Sequence, residues 1–209
     1  METGGFMGGL YKLSEWIMRL AILNLLWIGF TLAGLVLFGL FPATAAAYAI
    51  TRQWIRGESD LPLFKTFCSY FFKDFWRVQA LGYILTAITI ILYIDILFIF
   101  QSSNAFLNML FIPLLLLCVV FAITAMYAFS VFAHYELSIP QVLKHSVLHV
   151  LVRPFLSIGM LVTVGALFYA MQFLPGVIPV FGVSVPILTI MWFSHSGFVR
   201  NEEKRERIA

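Results

Sequence analysis

Two polar side chains stand where chemistry would be conspicuous. Asp95, in "LYIDILF", is an acid inside a long apolar run, and Asn24, in "AILNLLW", is an amide inside another. An acid at bilayer depth is costly, which makes it a candidate for an ion or substrate path or for a pairing role. Asp95 precedes Gln101 by six residues, about 9 Å of helical rise, so its carboxylate can also reach the headgroups. Asn24 suits a hydrogen bond to a neighbouring helix, or a ligand contact. His145 and His149 are one helical turn apart, with His134 and Glu136 nearby. A metal site needs three or four converging ligands, so these histidines read as the polar face of a helix, and no metal is expected. There is no phosphate-binding glycine loop, no HExxH and no nucleophile elbow. The expectation is a non-enzyme with no catalytic residue and no cofactor. Cys68 and Cys118 have no partner spacing and read as small packing residues.

The remaining candidates are basic. Arg52, Trp54 and Arg56 follow an apolar stretch in the order of an interfacial anchor, with the indole at headgroup level and the cations toward anionic lipid or a partner. Lys65, Lys73 and Arg77 continue that set, and Lys144, His145, His149 and Arg153 form a second one.

The elements that hold these residues are apolar. Hydrophobic residues make up 62% of the 209 and charged residues 11%, against about 25% charged in a soluble domain. Too few charges remain to cover a water-facing surface, so the chain is a multi-pass, all-α membrane protein. Five runs approach the roughly 20 residues a span needs: Leu20–Leu40, Val78–Phe100, Met109–Val131, Phe155–Phe173 and Val177–Phe198. Pro179 and Pro186 interrupt the fifth, and its helical part is expected from Val183. With five spans and the N-terminus outside, 11 of the 13 Lys and Arg residues fall on the cytoplasmic side of a plasma membrane, as positive-inside bias requires. The tail "RNEEKRERIA" alternates in sign, and a net charge of +3 is too small to suggest nucleic-acid binding.

An internal echo organises the chain. "ATAAAYAI" (43–50) aligns with "AITAMYAF" (122–129), and "ESDLP" (58–62) aligns with "ELSIP" (136–140) at nearly the same offset. The single membrane domain 1–209 then divides into parallel repeat halves 20–100 and 101–173, a fifth span 177–198 and a basic tail 199–209. Each half carries an amphipathic cytoplasmic elbow, Leu63–Arg77 and Pro140–Arg153. In the first, Phe64, Phe67, Phe71 and Trp76 oppose Lys65, Ser69, Lys73 and Arg77 at helical spacing, the pattern of a helix lying in the membrane interface or docking a partner. Gly29 and Ala33 form a small-xxx-small step suited to close helix contact.

The stretch from Gly8 to Trp76, "GGLYKLSEWIMRLAILNLLWIGFTLAGLVLFGLFPATAAAYAITRQWIRGESDLPLFKTFCSYFFKDFW", resembles the N-terminal signature of the YesL family, a domain of unknown function in small bacterial membrane proteins, and the likeness continues more loosely to the end of the chain. The resemblance implies a Bacillus-like source and a gene context of carbohydrate ABC-transporter components, and it supplies no catalytic residues. Ala45-Ala46-Ala47 followed by Gly57 is loosely similar to the cytoplasmic loop of sugar ABC permeases, without that loop's glutamate. The leading expectation is an accessory or permease-like subunit in carbohydrate uptake, its elbows against the lipid bilayer and ABC-transporter subunits. A self-contained small transporter or channel lined by Asp95 and Asn24, or a non-transporting regulator, stands as the alternative.

Overall fold

The computed structural model describes residues 6–102 and 105–206, and within them the chain is helical apart from short turns and links, with no strand among the described residues. In chain order the helices are α1 (Phe6–Ala33), α2 (Leu40–Ile55), α3 (Leu63–Lys73), α4 (Phe75–Gln101), α5 (Ala105–Met109), α6 (Phe111–His134), α7 (Ile139–Val152), α8 (Pro154–Gln172), α9 (Ile178–Phe181) and α10 (Ser184–Glu206). Four helices are long and apolar enough to cross a membrane (α1, α4, α6 and α8), and a fifth crossing results if the segment from Pro175, bent by 61° at its break, is joined to α10. The protein is thus a multi-pass, all-helical membrane protein.

The centre of the bundle is α2, which packs against α1, α3, α4, α6 and α10. Its run of small side chains lets so many neighbours close in: Ala43, Ala46 and Ala47 are sealed from solvent, together with Ile50 and Thr51. Without a hydrophobic drive between helices in lipid, such close packing is the main source of association. α1 and α2 are antiparallel. Trp16 meets Trp54 edge to face at 5.7 Å, and Trp27 Nε1 donates to Thr44 Oγ1 at 3.0 Å. α2 and the end of α6 run parallel, with Tyr48 stacked on Phe129 and Arg52 level with Ala133. The order helix, short link, amphipathic helix, long helix occurs twice, as α2–α3–α4 and as α6–α7–α8.

Three expectations need correction. The first span does not run from Leu20 to Leu40. α1 begins at Phe6, and the chain turns at Gly34–Gly39. What reads as the lead into a cytoplasmic elbow, Leu40–Ile55, is the most enclosed helix of the fold, because alanines that look featureless in sequence are the closest-packing residues available. As α2 returns alongside α1, Arg19 Nη2 reaches Asp60 Oδ1 at 3.1 Å. The start of α1 and the segment after α2 therefore share one end of the bundle, whereas a single crossing by the first span would separate them. The third correction is local: Gly29 has open space around it, and the close helix contact is at Gly82, where any Cβ would strike the Phe41 ring.

The other spans fall close to their expected limits. The fifth divides as its prolines suggest, with α10 starting at Ser184. The first elbow is shorter than Leu63–Arg77, since α3 ends at Lys73 and Arg77 already belongs to α4. Its faces follow the sequence in part. Phe67 and Phe71 turn inward against Phe30 at 5.0 Å each, while Phe64, Phe72 and Trp76 stay exposed.

Asn24 explains how α10 tolerates its break. Its Oδ1 accepts from the Val183 and Ser184 backbone amides at 2.9 and 3.1 Å, and its Nδ2 donates to Pro179 O at 2.8 Å. Two orphan donors at the start of α10 and a carbonyl of α9 are satisfied by one side chain from α1, a helix cap supplied in trans. Asn24→Ala is expected to cost about 1–3 kcal/mol, the penalty for stranding buried polar groups, and to lower the thermal midpoint in detergent. An unchanged midpoint would show that other groups cap the break.

Candidate functional site

Apart from Asp95, the charges of the described residues gather at one end of the bundle, and their positions follow from how the helices stop there. α6 ends at His134 with carbonyls that no helical amide can reach. Arg52, in the last turn of α2, donates from Nη1 to Ala133 O at 2.6 Å and to His134 O at 3.2 Å. A cation at the negative end of a helix dipole adds to that capping. Arg77, just inside α4, donates from Nη2 to Leu137 O at 2.7 Å and from Nη1 to Asp74 Oδ1 at 2.8 Å, and its guanidinium lies 5.7 Å from the Phe132 ring centre. Lys73 Nζ stands 3.6 Å from Glu136 Oε1, and both side chains are mostly exposed, so that pair contributes little and opens readily.

Between these groups is a cleft of about 100 Å³, walled by Ala45 and Ala49 of α2, Tyr70 of α3 and Val78 of α4, and rimmed by Arg52, Lys73, Arg77, Asp74 and Glu136. Three cations face two carboxylates, leaving a surplus of one positive charge. Arg52 serves the structure, while Lys73 and Arg77 are accessible at the mouth. Such a mouth can receive an acidic side chain or the phosphate of a headgroup.

Of the residues singled out in the sequence, Arg52, Lys73 and Arg77 thus converge. Lys65 and Lys144 lie exposed on α3 and α7, outside this cleft, and Arg56 is exposed just past α2. Trp54 is 3% exposed and packs against Trp16, so it is a core residue and does not sit among headgroups. His145 is half-buried, with its ring 6.5 Å from Tyr135, and Arg153 lies beside Gly197. His149 faces inward with Val142, Ser146 and Val150, 5.9 Å from the Tyr127 ring; the polar face of α7 therefore excludes it. Asp95 is exposed near the far end of α4, beside an apolar groove that includes Leu110 and Pro113. Asn24 and Asp95 are held in separate places, the one binding the α9–α10 break and the other facing outward between α4 and α6. Tyr70 and Asp74 join the site without having been singled out in the sequence, and Glu136, noted there only beside the histidines, joins it too. The signal was present in the segments that follow each alanine-rich helix, where acids and bases alternate, but only the fold brings 70–78 against 132–136.

Arg52→Met keeps the aliphatic bulk and strands two carbonyls, so it is expected to cost about 1.5–3 kcal/mol, the range for hydrogen bonds to charged groups, read in an unfolding titration. Burial pushes the His149 imidazole below its ordinary 6.5, aided by the charges of Arg153 and His145 and opposed by its bond to His145 O. A lowered value in the fold means that the unfolded chain binds the proton first, so this contribution to stability is present above about pH 6.5 and declines as pH falls. His149→Gln is expected to flatten that part of the stability–pH curve, and an equally steep curve in the variant would assign the slope to other groups.

Residues 20–96 match the family model described as "Protein of unknown function, DUF624". Three proteins of Bacillus subtilis (strain 168), each described as uncharacterised, are similar along most of their length. YteU is 37% identical over 185 residues, covering 88% of this chain and 83% of its own. YesV is 33% identical over 198 residues, covering 95% of each. YesL is 39% identical over 158 residues, covering 76% of this chain and 73% of its own. No solved structure matches. With relatives this similar over nearly the whole bundle, the chain belongs to the YesL-like family of membrane proteins of unknown function.

Proposed function

We propose that this protein is a non-catalytic membrane subunit that assists carbohydrate uptake by an ABC-type transporter, with its basic end as the docking surface. The observation that carries the reading is the convergence of Arg52, Lys73 and Arg77 from three helices on one cleft of surplus positive charge, flanked by the two amphipathic elbows α3 and α7. Positive-inside bias favours a cytoplasmic position for this Lys- and Arg-bearing end, where the ATPase of such a transporter would meet it. The carbohydrate link comes from the gene context that the family resemblance implies. Lys65 and Lys144 are exposed on the elbows, so they are available to an acidic partner surface.

Pull-down in mild detergent is expected to recover transporter subunits, and deletion of the gene to slow growth on complex sugars. Reversing charge at Lys65 and Lys144 together should reduce co-purification at least tenfold while leaving the thermal midpoint unchanged, since exposed charges add little to stability. Normal growth of the deletion strain, with no transporter subunit recovered, would refute the reading. The exposed acid Asp95 beside its groove supports a second reading, a self-contained transporter. That reading is favoured if purified protein alone moves solute in liposomes and Asp95→Asn abolishes the flux.

A further inference from the structure

We propose that α1 and α2 form a re-entrant hairpin, which enters the bilayer and leaves it on the same, Lys- and Arg-bearing face, so that the start of α1 and the end of α10 both lie on the cytoplasmic side.

The hairpin is too shallow to cross a bilayer. Arg19 and Arg52 mark the charged layer at the base of the hairpin, since Arg19 bonds Asp60 in the segment after α2. From Arg19 to Ala33 is 14 residues and from Arg52 to Leu40 is 12, which is about 21 Å and about 18 Å of helical rise. The hydrocarbon core is about 30 Å thick, and any tilt makes the hairpin shallower. α4 provides an independent ruler. The turn bonds to α4 near its base, at Gln79 and Tyr83, and Phe41, just past the turn, packs on Gly82 and Tyr83. Beyond Tyr83, α4 continues for 18 residues to Gln101, roughly 27 Å further. By both measures the turn stops inside the membrane.

The turn is also built for hydrocarbon. Gly34–Gly39 reads Gly-Leu-Val-Leu-Phe-Gly, with no polar side chain, and Leu35 is 79% exposed and Leu37 68%. A turn in water would be built from Gly, Pro, Asn, Asp and Ser. One in hydrocarbon must instead satisfy its own backbone or have it satisfied by the protein. The amides of Gly34, Leu35, Val36, Leu37 and Phe38 all find carbonyls within residues 30–35. The carbonyl of Leu37 accepts from Gln79 Nε2 at 3.2 Å and from Tyr83 Oη at 3.3 Å. Leu35 and Val36 adopt left-handed φ values of 53° and 64°, strained for Leu and more so for β-branched Val. Any Cβ on Gly34 would strike the Gly39 backbone, and any on Gly39 the carbonyls of Phe30 and Thr31. The strain and the glycines keep the turn compact enough to close its hydrogen bonds internally.

The charges agree. With α1 returning as α2, the segments bearing Lys12 and Arg19, Arg52 to Arg77, Lys144 and Arg153, and Arg200 to Arg205 all lie at one end; Arg207 is outside the described residues. Positive-inside bias then has no exception among the described residues to explain.

Impermeant maleimide labelling in the full-length protein tests this, in a Cys68→Ser/Cys118→Ser background with single cysteines. Met109→Cys, exposed at the far end between α4 and α6, should label in intact cells. Tyr11→Cys, exposed on α1, should label only once the membrane is permeabilised. Leu35→Cys should label from neither side and react only after denaturation. Phe38→Cys is the second probe of the turn should Leu35→Cys lower the thermal midpoint. Labelling of Leu35→Cys or Phe38→Cys in intact cells to the level of Met109→Cys would overturn the proposal, as would labelling of Tyr11→Cys without permeabilisation.

Discussion

Backbone groups inside a bilayer have no water to turn to, and where a helix stops there, its loose amides and carbonyls must be met by something else in the protein. This chain stops helices at three places inside the bundle or at its charged end, and answers each with polar side chains from a different helix. Asn24 of α1 caps the break before α10, Gln79 and Tyr83 of α4 cap the turn after α1, and Arg52 of α2 caps the end of α6. Most other polar contacts within the spanning helices are Ser and Thr hydroxyls returned to their own helix one turn back. The architecture is tied together by these few side chains.

The rest is packing. α2 owes its central position to alanines, which carry no flexible side chain to order and let five neighbours approach. The large side chains are assigned around it: Tyr48 against Phe129, Phe30 between Phe67 and Phe71, Trp16 on Trp54. Away from α2, the distal halves of α4 and α6 touch little but each other. Ile94, Phe98, Ile112 and Leu116 face outward, as expected of helices whose outer faces meet acyl chains.

Class, helix content and three of the spans were legible in the sequence, because long apolar runs and charge-poor composition speak directly to burial in lipid. The helical character of both elbows was legible too, since Phe64 to Trp76 repeat at helical spacing. α2 was not. An alanine-rich segment ending in Arg, Trp and Arg looks the same whether it frays into water or fills a core, and the difference is made by Trp16 and Phe129, which are distant in sequence. His149 misled for a related reason: an imidazole on an amphipathic helix is counted as polar, yet it can satisfy Nδ1 on the carbonyl of His145, 2.7 Å away, and turn inward. The cleft was half legible. Its cations were visible, but the acids that temper them arrive through contacts between residues 70–78 and 132–136.

The carbonyl of Leu37 also sets an order in time. Its partners lie 42 and 46 residues downstream, so when α1 and α2 first leave the ribosome the groups that complete their turn have not yet emerged. Until α4 emerges, the pair lacks the two side chains that meet the Leu37 carbonyl. α4 is therefore the element whose arrival completes the hairpin's hydrogen bonding.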